Sequence, residues 1–193
     1  MICAACAANL AECRLGMRQV EGFSVFYYYG YSEIRELLLS KHHEYGAAVL
    51  ARIASLSLAK FPLYLQREIS ANPQNYEAFR TDGIFKFNAV PLDDDARSGY
   101  SHTAILAHAL KSELIEPKFH CLRAQNRVKY TGQSLEFRLK HKRNFKILTP
   151  PQFPVILVDD IITSGLSMLQ ARESLIDGGF MPVCGLVLAN AKE

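Results

Sequence analysis

Long apolar runs are missing from this chain. Stretches such as Val183 to Ala189 fall far short of the roughly 18 residues that cross a bilayer, so no membrane span is expected. The opening residues Met1-Ile2-Cys3-Ala4-Ala5-Cys6 lack the basic-then-apolar order of a secretory signal, and export is not expected either. Internal repeats and low-complexity tracts are absent. Cysteine is scarce and odd in number, five in 193 residues. An odd set without a signal argues against a secreted disulfide scaffold and for a reducing, cytoplasmic setting. What remains is a globular balance of 49% apolar and 21% charged residues, with 11 Gly and 8 Pro. The length suits one ordinary α/β domain and is short for two.

Charge is nearly balanced, with 22 Lys and Arg against 19 Asp and Glu, yet it is unevenly placed. From Arg123 to Lys146 eight basic residues face one acid, Glu136, so that segment is +7 and the rest of the chain −4. The basic residues interleave with Tyr130, Phe137 and Phe145. Such a stretch serves as a lid over phosphates, as a contact for single-stranded nucleic acid, or as a solvated loop.

Residues 1–22 have no clear period. Ser24 to Tyr29 reads as a strand, and Ser32 as the N-cap of a helix with Ile34, Leu37 and Leu38 on one face. A second helix is expected over Tyr45 to Lys60, ended by Pro62. Gly83 to Val90 reads as a strand, Ser101 as the start of another helix, and Lys118 to Leu122 as a short strand. From Ala124 to Ile147 the pattern is mostly loop, with at most a weak hairpin. The final third is clearest. Val155 to Val158 is the continuous apolar run of a strand buried on both faces. A helix from Gly165 to Asp177, stopped by Gly178-Gly179, and a strand over Val183 to Leu188 complete a βαβ unit.

Chemistry concentrates between Asp159 and Ser167. Two carboxylates, Asp159 and Asp160, are expected just after the apolar strand, at the end where open α/β sheets bind ligands. Ile161 and Ile162 follow, then Thr163, Ser164, Gly165, Leu166 and Ser167 open a helix. Main-chain N–H groups and hydroxyls at a helix start suit a phosphate monoester, and a glycine lets the backbone approach it closely. Carboxylates beside such a cradle accept from sugar hydroxyls or share a Mg²⁺. The ligand these residues imply is a ribose phosphate.

Residues 155–167 closely resemble the signature by which type I phosphoribosyltransferases bind phosphoribosyl pyrophosphate (PRPP). More of the chain is similar to the ComF (competence) and GntX-like branch of that superfamily. Tyr31 to Lys41 looks like its early helix ending in a lysine. Val90-Pro91-Leu92 with Arg97 to His102 and Leu106-Ala107 looks like its pyrophosphate loop, and Gln133, Leu135 and Arg143-Asn144-Phe145 like its basic hood. The resemblance implies a parallel sheet flanked by helices over 23–193, a hood near 123–147, and a degenerate zinc-module-like segment over 1–22. It implies a cytoplasmic PRPP-binding protein that uses Mg²⁺, has Asp159 and Asp160 as catalytic acids and residues 159–167 as the PRPP contacts, and acts in DNA uptake during natural transformation. Arg123, Arg127, Lys129, Arg138, Lys140 and Arg143 would form a lid or touch single-stranded DNA. The alternative is an active transferase that moves phosphoribosyl from PRPP to a nitrogenous acceptor. Where the family carries Arg-Gly-Phe/Tyr-Asn-Gln this chain has Ser98-Gly99-Tyr100-Ser101-His102, which favours binding over efficient transfer. Cys3, Cys6 and Cys13 form an incomplete zinc site, since Gly16 stands where a fourth ligand is expected. Cys121 and Cys184 read as small core residues.

Overall fold

The computed structural model describes residues 2–92, 99–126 and 143–192. In chain order its main elements are α1 (Ala4–Ala11), β1 (Gly16–Val20), β2 (Phe23–Tyr27), β3 (Tyr29–Gly30), α2 (Tyr31–Leu39), α3 (Gly46–Leu56) and α4 (Phe61–Ala71). There follow β4 (Arg80–Thr81), β5 (Ile84–Phe85), β6 (Phe87–Pro91), α5 (His102–His108), β7 (Ile115–Pro117), β8 (Leu122–Ala124) and β9 (Phe145–Ile147). The chain closes with β10 (Val155–Ile162), α6 (Leu166–Asp177) and β11 (Pro182–Asn190).

The central sheet runs β1-β2-β11-β10-β6-β7, with β3 also pairing β11. Every pairing in it is parallel except β1 with β2. The protein is thus α/β, with a mixed, mostly parallel sheet flanked by helices. The antiparallel edge was not expected. Along β1 only Val20 is buried, so an edge strand left no apolar period to read. Glu21 and Gly22 both have positive φ, 47° and 75°, the pattern of a tight two-residue hairpin turn.

Helices cover both faces. On one, Leu50, Ile53, Phe61 and Leu106 pack with Ile156, Val158, Leu186 and Leu188. On the other, Met168, Leu169 and Leu175 of α6 pack with Leu157, Val187 and Val25. Pro62 does not end a helix. It lies in the first turn of α4, where a missing N–H breaks no intrahelical bond, and a 3₁₀ turn at Leu58–Lys60 separates α4 from α3. Gly46–Ala71 is the one helical run, among the described residues, long and apolar enough to cross a membrane. Its Val49, Leu50, Ile53, Leu58, Phe61 and Leu65 are buried in the core.

Other boundaries moved for local reasons. Gly30, not Ser32, caps α2, because the Glu33 carboxylate reaches back to accept the Gly30 N–H at 2.6 Å. The strand expected over 83–90 divides at Lys86 into β5 and β6. The one expected over 118–122 is replaced by β7 and β8 on either side of His120, whose φ is 54°. Buried Asn88 fastens the approach to β10, its Oδ1 accepting the N–H groups of Gln152 and Phe153 at 2.8 and 3.0 Å.

The topology decides where a ligand fits. From β6 the chain crosses through α5 to β7 on one side, and from β10 through α6 to β11 on the other. β6 and β10 are neighbours, so the crossovers diverge between them and open a crevice at their carboxyl ends. In open α/β sheets that switch point is the ligand site.

Candidate functional site

β10 outruns β6. Their last paired residues are Val158 and Pro91, whereas pairing with β11 continues to Ile162 and Asn190. Asp159 and Asp160 therefore lie inside a strand, not after it as expected, but beyond the end of the neighbour on one side. They overhang the crevice. The two carboxylates lie close to each other, yet the two acids have different surroundings. Asp159 is half-buried, while Asp160 is 4% exposed.

Lys41 is the partner of Asp160. It sits in the 3₁₀ turn Ser40–His42 that follows α2, and its Nζ forms an ion pair with Asp160 Oδ2. The turn is held in place. The Tyr100 hydroxyl donates to the Lys41 carbonyl at 3.0 Å, and a Cβ at Gly46 would collide with the Ser40 carbonyl and the Tyr100 hydroxyl. Burial would raise the Asp160 carboxyl, but the charges of Lys41 and His102 and a hydrogen bond from Lys41 hold it below the usual carboxylate range. Burial and the Asp160 charge push Asp159 up to about 8, with Arg143 opposing.

His102 opens α5 on the opposite wall. Ser101 caps that helix by accepting the Ala104 N–H at 3.2 Å, and Thr103 ties it to the residue that follows β6 by donating to the Leu92 carbonyl at 3.0 Å. His102, Asp159 and Asp160 bring one ligand atom each to within 4.8 Å of one another. Mg²⁺ takes oxygen ligands, commonly one or two carboxylates with substrate phosphates and water. Asp159 fits that role. Asp160 is already engaged by Lys41, and an imidazole nitrogen is not a Mg²⁺ donor of choice. Of the three, Asp159 is the residue that would hold such an ion.

The turn after β10 lies at the crevice mouth. Thr163 is exposed, Ser164 and Ser167 are half-buried, and Gly165 caps α6. Ile162 is buried in the core and Ile161 packs against the other face, so both can offer a ligand only main chain. Half-buried Leu166 begins the helix. Sequence reasoning missed Arg18, whose guanidinium crosses from β1 to donate to the Thr163 carbonyl at 2.7 Å and to Asn190 Oδ1 at 3.3 Å. No signal pointed to it, because β1 itself was not legible.

Gly165 also has a reason the sequence did not suggest. Its φ is 86°, and a Cβ there would stand 2.5 Å from Val20 Cγ1. Packing against β1 and a left-handed backbone require the glycine whether or not an anion approaches. Gly165→Ala is expected to cost about 2 kcal/mol in urea unfolding, combining backbone strain and overpacking. Adding Val20→Ala should recover only part, since it relieves the clash and not the φ. Full recovery would sink the backbone half of this account.

Of the basic stretch, Arg123 is exposed in β8, which pairs antiparallel with β9, so the base of the segment is a hairpin. Arg143 stands just before β9. Its N–H donates to Gln170 Oε1 at 2.9 Å, and its charge acts on Asp159. Arg127, Lys129, Arg138 and Lys140 lie outside the described residues, as do Asp93 to Asp95, Arg97 and Ser98.

Cys13 does not join Cys3 and Cys6. Cys3 and Cys6 are exposed at the start of α1, while the Cys13 thiol donates to the Leu56 carbonyl at 3.8 Å and accepts from Lys60 Nζ at 3.5 Å. Cys3, Cys6 and Cys13 form no group with ligand atoms within 4.8 Å, so these residues as placed do not fit a tetrahedral zinc ion. Cys121 and Cys184 are buried, and burial raises their thiols to about 11 and about 12. A cavity of about 600 Å³ opens between α1 and β2–β3, lined by Leu10, Cys13, Tyr27 and Tyr29 among others. None of residues 159–167 lines it.

Compared with models of known families the chain matches none, and the search of curated proteins finds no match either. The chemical reading rests on the crevice itself. It offers a half-buried acid of raised pKa, a fixed lysine–aspartate pair, a histidine, an arginine and a hydroxyl-bearing turn at a helix start. That set suits a ligand with sugar hydroxyls at one end and an anionic group at the other.

Proposed function

We propose that this crevice binds a ribose phosphate of the PRPP kind, in a domain of the type I phosphoribosyltransferase class. The observation that carries the reading is the placement of Asp159 and the 163–167 turn together at the carboxyl end of β10, at the switch point of the sheet. In this reading the Asp159 carboxylate accepts hydrogen bonds from ribose hydroxyls. The Thr163, Ser164 and Ser167 hydroxyls and the N–H groups at the start of α6 hold the terminal phosphate. Arg143 faces the ligand's negative charge, and Asp160 acts through Lys41 by fixing it at the crevice wall. Mg²⁺ arriving with the ligand would be held by Asp159 and would offset pyrophosphate charge.

The wider role proposed is that of a ComF-like cytoplasmic protein in DNA uptake, a reading supported by the sequence resemblance. Transfer of phosphoribosyl to a nitrogenous acceptor is the alternative. The arginine and amide side chains of the family pattern are absent from 98–102, which favours binding without efficient turnover.

PRPP with Mg²⁺ is expected to raise the melting temperature by several degrees in thermal-shift measurements, by mass action on the folded state. Asp159→Asn should abolish that shift. A shift that survives the substitution, or no shift in the parent chain, would remove the assignment. Release of pyrophosphate with any amine or base acceptor would decide for the transferase. Single-stranded DNA is expected to bind with a steep salt dependence that weakens when Arg138, Lys140 and Arg143 become Ala. Binding indifferent to salt would exclude the basic stretch as the contact.

A further inference from the structure

The N-terminal thiols carry an independent inference. Cys3 is the N-cap of α1, in extended backbone, and its Sγ accepts the Cys6 N–H at 3.4 Å. Both residues are exposed. The third thiol of the sequence cluster is withdrawn, because Cys13 is held by Leu56 and Lys60. Two accessible thiols three residues apart thus stand together without the third. Neighbours three apart on a helix have Cβ atoms about 5–6 Å apart, and a disulfide needs roughly 3.5–4.5 Å. Cys3 lies outside the helix proper, so a small turn of this residue closes that gap without unwinding α1. The far end of α1 is anchored. The Leu10 carbonyl accepts from the Tyr29 hydroxyl at 2.8 Å, the Ala11 carbonyl accepts from Lys60 Nζ at 2.6 Å, and Ala7 is buried.

We propose that Cys3 and Cys6 form a redox-active dithiol that exchanges with low-molecular-weight disulfides of the glutathione class. The Cys3 thiolate attacks one sulfur of glutathione disulfide. A Cys3–glutathione bond forms, and the first glutathione leaves as a thiolate that takes up a proton. Cys6, after giving its proton to solvent, attacks Cys3 Sγ, and the second glutathione leaves. Two protein thiols are oxidised to one disulfide, and one glutathione disulfide is reduced to two glutathiones.

The test uses the full chain, equilibrated in glutathione buffers from fully reduced to fully oxidised, then alkylated and weighed intact. Two of the five thiols are expected to become protected as the buffer is oxidised, and to reopen on reduction. Cys13→Ser should keep that protection, and Cys3→Ser should abolish it. The Cys13 variant is needed because tryptic cleavage after Arg14 leaves Cys3, Cys6 and Cys13 in one peptide. Cys6→Ser should stop at the mixed disulfide, with one glutathione per chain. Three results would overturn the proposal: no protection in any buffer, protection lost in Cys13→Ser, or a zinc ion released in proportion to thiol modification, which would make the pair a metal site. None bears on PRPP binding, so the two readings stand or fall separately.

Discussion

Asp160→Ala is expected to lower the unfolding free energy by about 3 kcal/mol near neutral pH, the loss typical when one member of a buried ion pair is removed. Lys41 is 23% exposed and held by its backbone, so it cannot swing freely into water when its carboxylate partner disappears. The cost is mainly that of an uncompensated charge rather than of a lost attraction. Replacing both members, as Lys41→Met with Asp160→Leu, should therefore return to within about 1 kcal/mol of the parent, because apolar groups of similar size avoid the desolvation altogether. The pH dependence has a defined sign. The Asp160 carboxyl is held below its unfolded value, so its contribution is present above about pH 4 and is lost as pH falls through the folded value. Urea titrations of parent and Asp160→Ala should converge in acid. A single substitution costing under 1 kcal/mol at pH 7 would show that the pair is solvated and not structural.

The neighbouring acid should behave in the opposite way. Asp159→Asn is expected to stabilise the ligand-free chain by about 2 kcal/mol at pH 9 and to leave it nearly unchanged at pH 4. Burial and the Asp160 charge raise this carboxyl to about 8, so the folded state holds a proton that the unfolded chain gives up near pH 4. Its favourable contribution is complete below the unfolded value and declines as pH rises to about 8. An uncharged isostere removes that decline. With roughly 2–4 °C per kcal/mol for a chain of this size, the melting temperature at pH 9 should rise by about 4–8 °C. Equal melting temperatures for parent and variant at pH 9 would mean that Asp159 is not desolvated. A second consequence concerns binding. Ligand hydroxyls prefer the ionised carboxylate as acceptor, so PRPP binding should release a proton and strengthen between pH 6 and pH 8. An acid that weakens the empty protein yet is needed for its ligand fits a site better than a core position.

These contrasting expectations for two adjacent aspartates could not have been read from the sequence. Asp159-Asp160 stands there as a symmetrical pair, and both acids read alike, as acceptors from sugar hydroxyls or ligands to a shared Mg²⁺. What separates them is their company: Asp160 is buried in an ion pair with Lys41, distant in sequence, whereas half-buried Asp159 meets the charges of Asp160 and Arg143. Gly165 is a related case. A glycine before a helix suggested room for an anion, and folding adds Val20 as the reason no side chain fits.

Local chemistry settled a good deal in advance. The apolar run Val155 to Val158, the glycine pair after α6 and the Ser101 cap all announce their elements, because burial on both faces, helix termination and capping are decided by adjacent residues. The α/β class followed from them. Tertiary structure alone decided the antiparallel edge at β1, the continuation of β10 past β6, the meeting of His102 with the two acids, the reach of Arg18 to Thr163, and the separation of Cys13 from Cys3 and Cys6. The physical reason is common to all of these. A strand's or helix's existence depends on neighbours in the chain, whereas the charge a carboxylate meets and the company a thiol keeps depend on segments that only packing brings together.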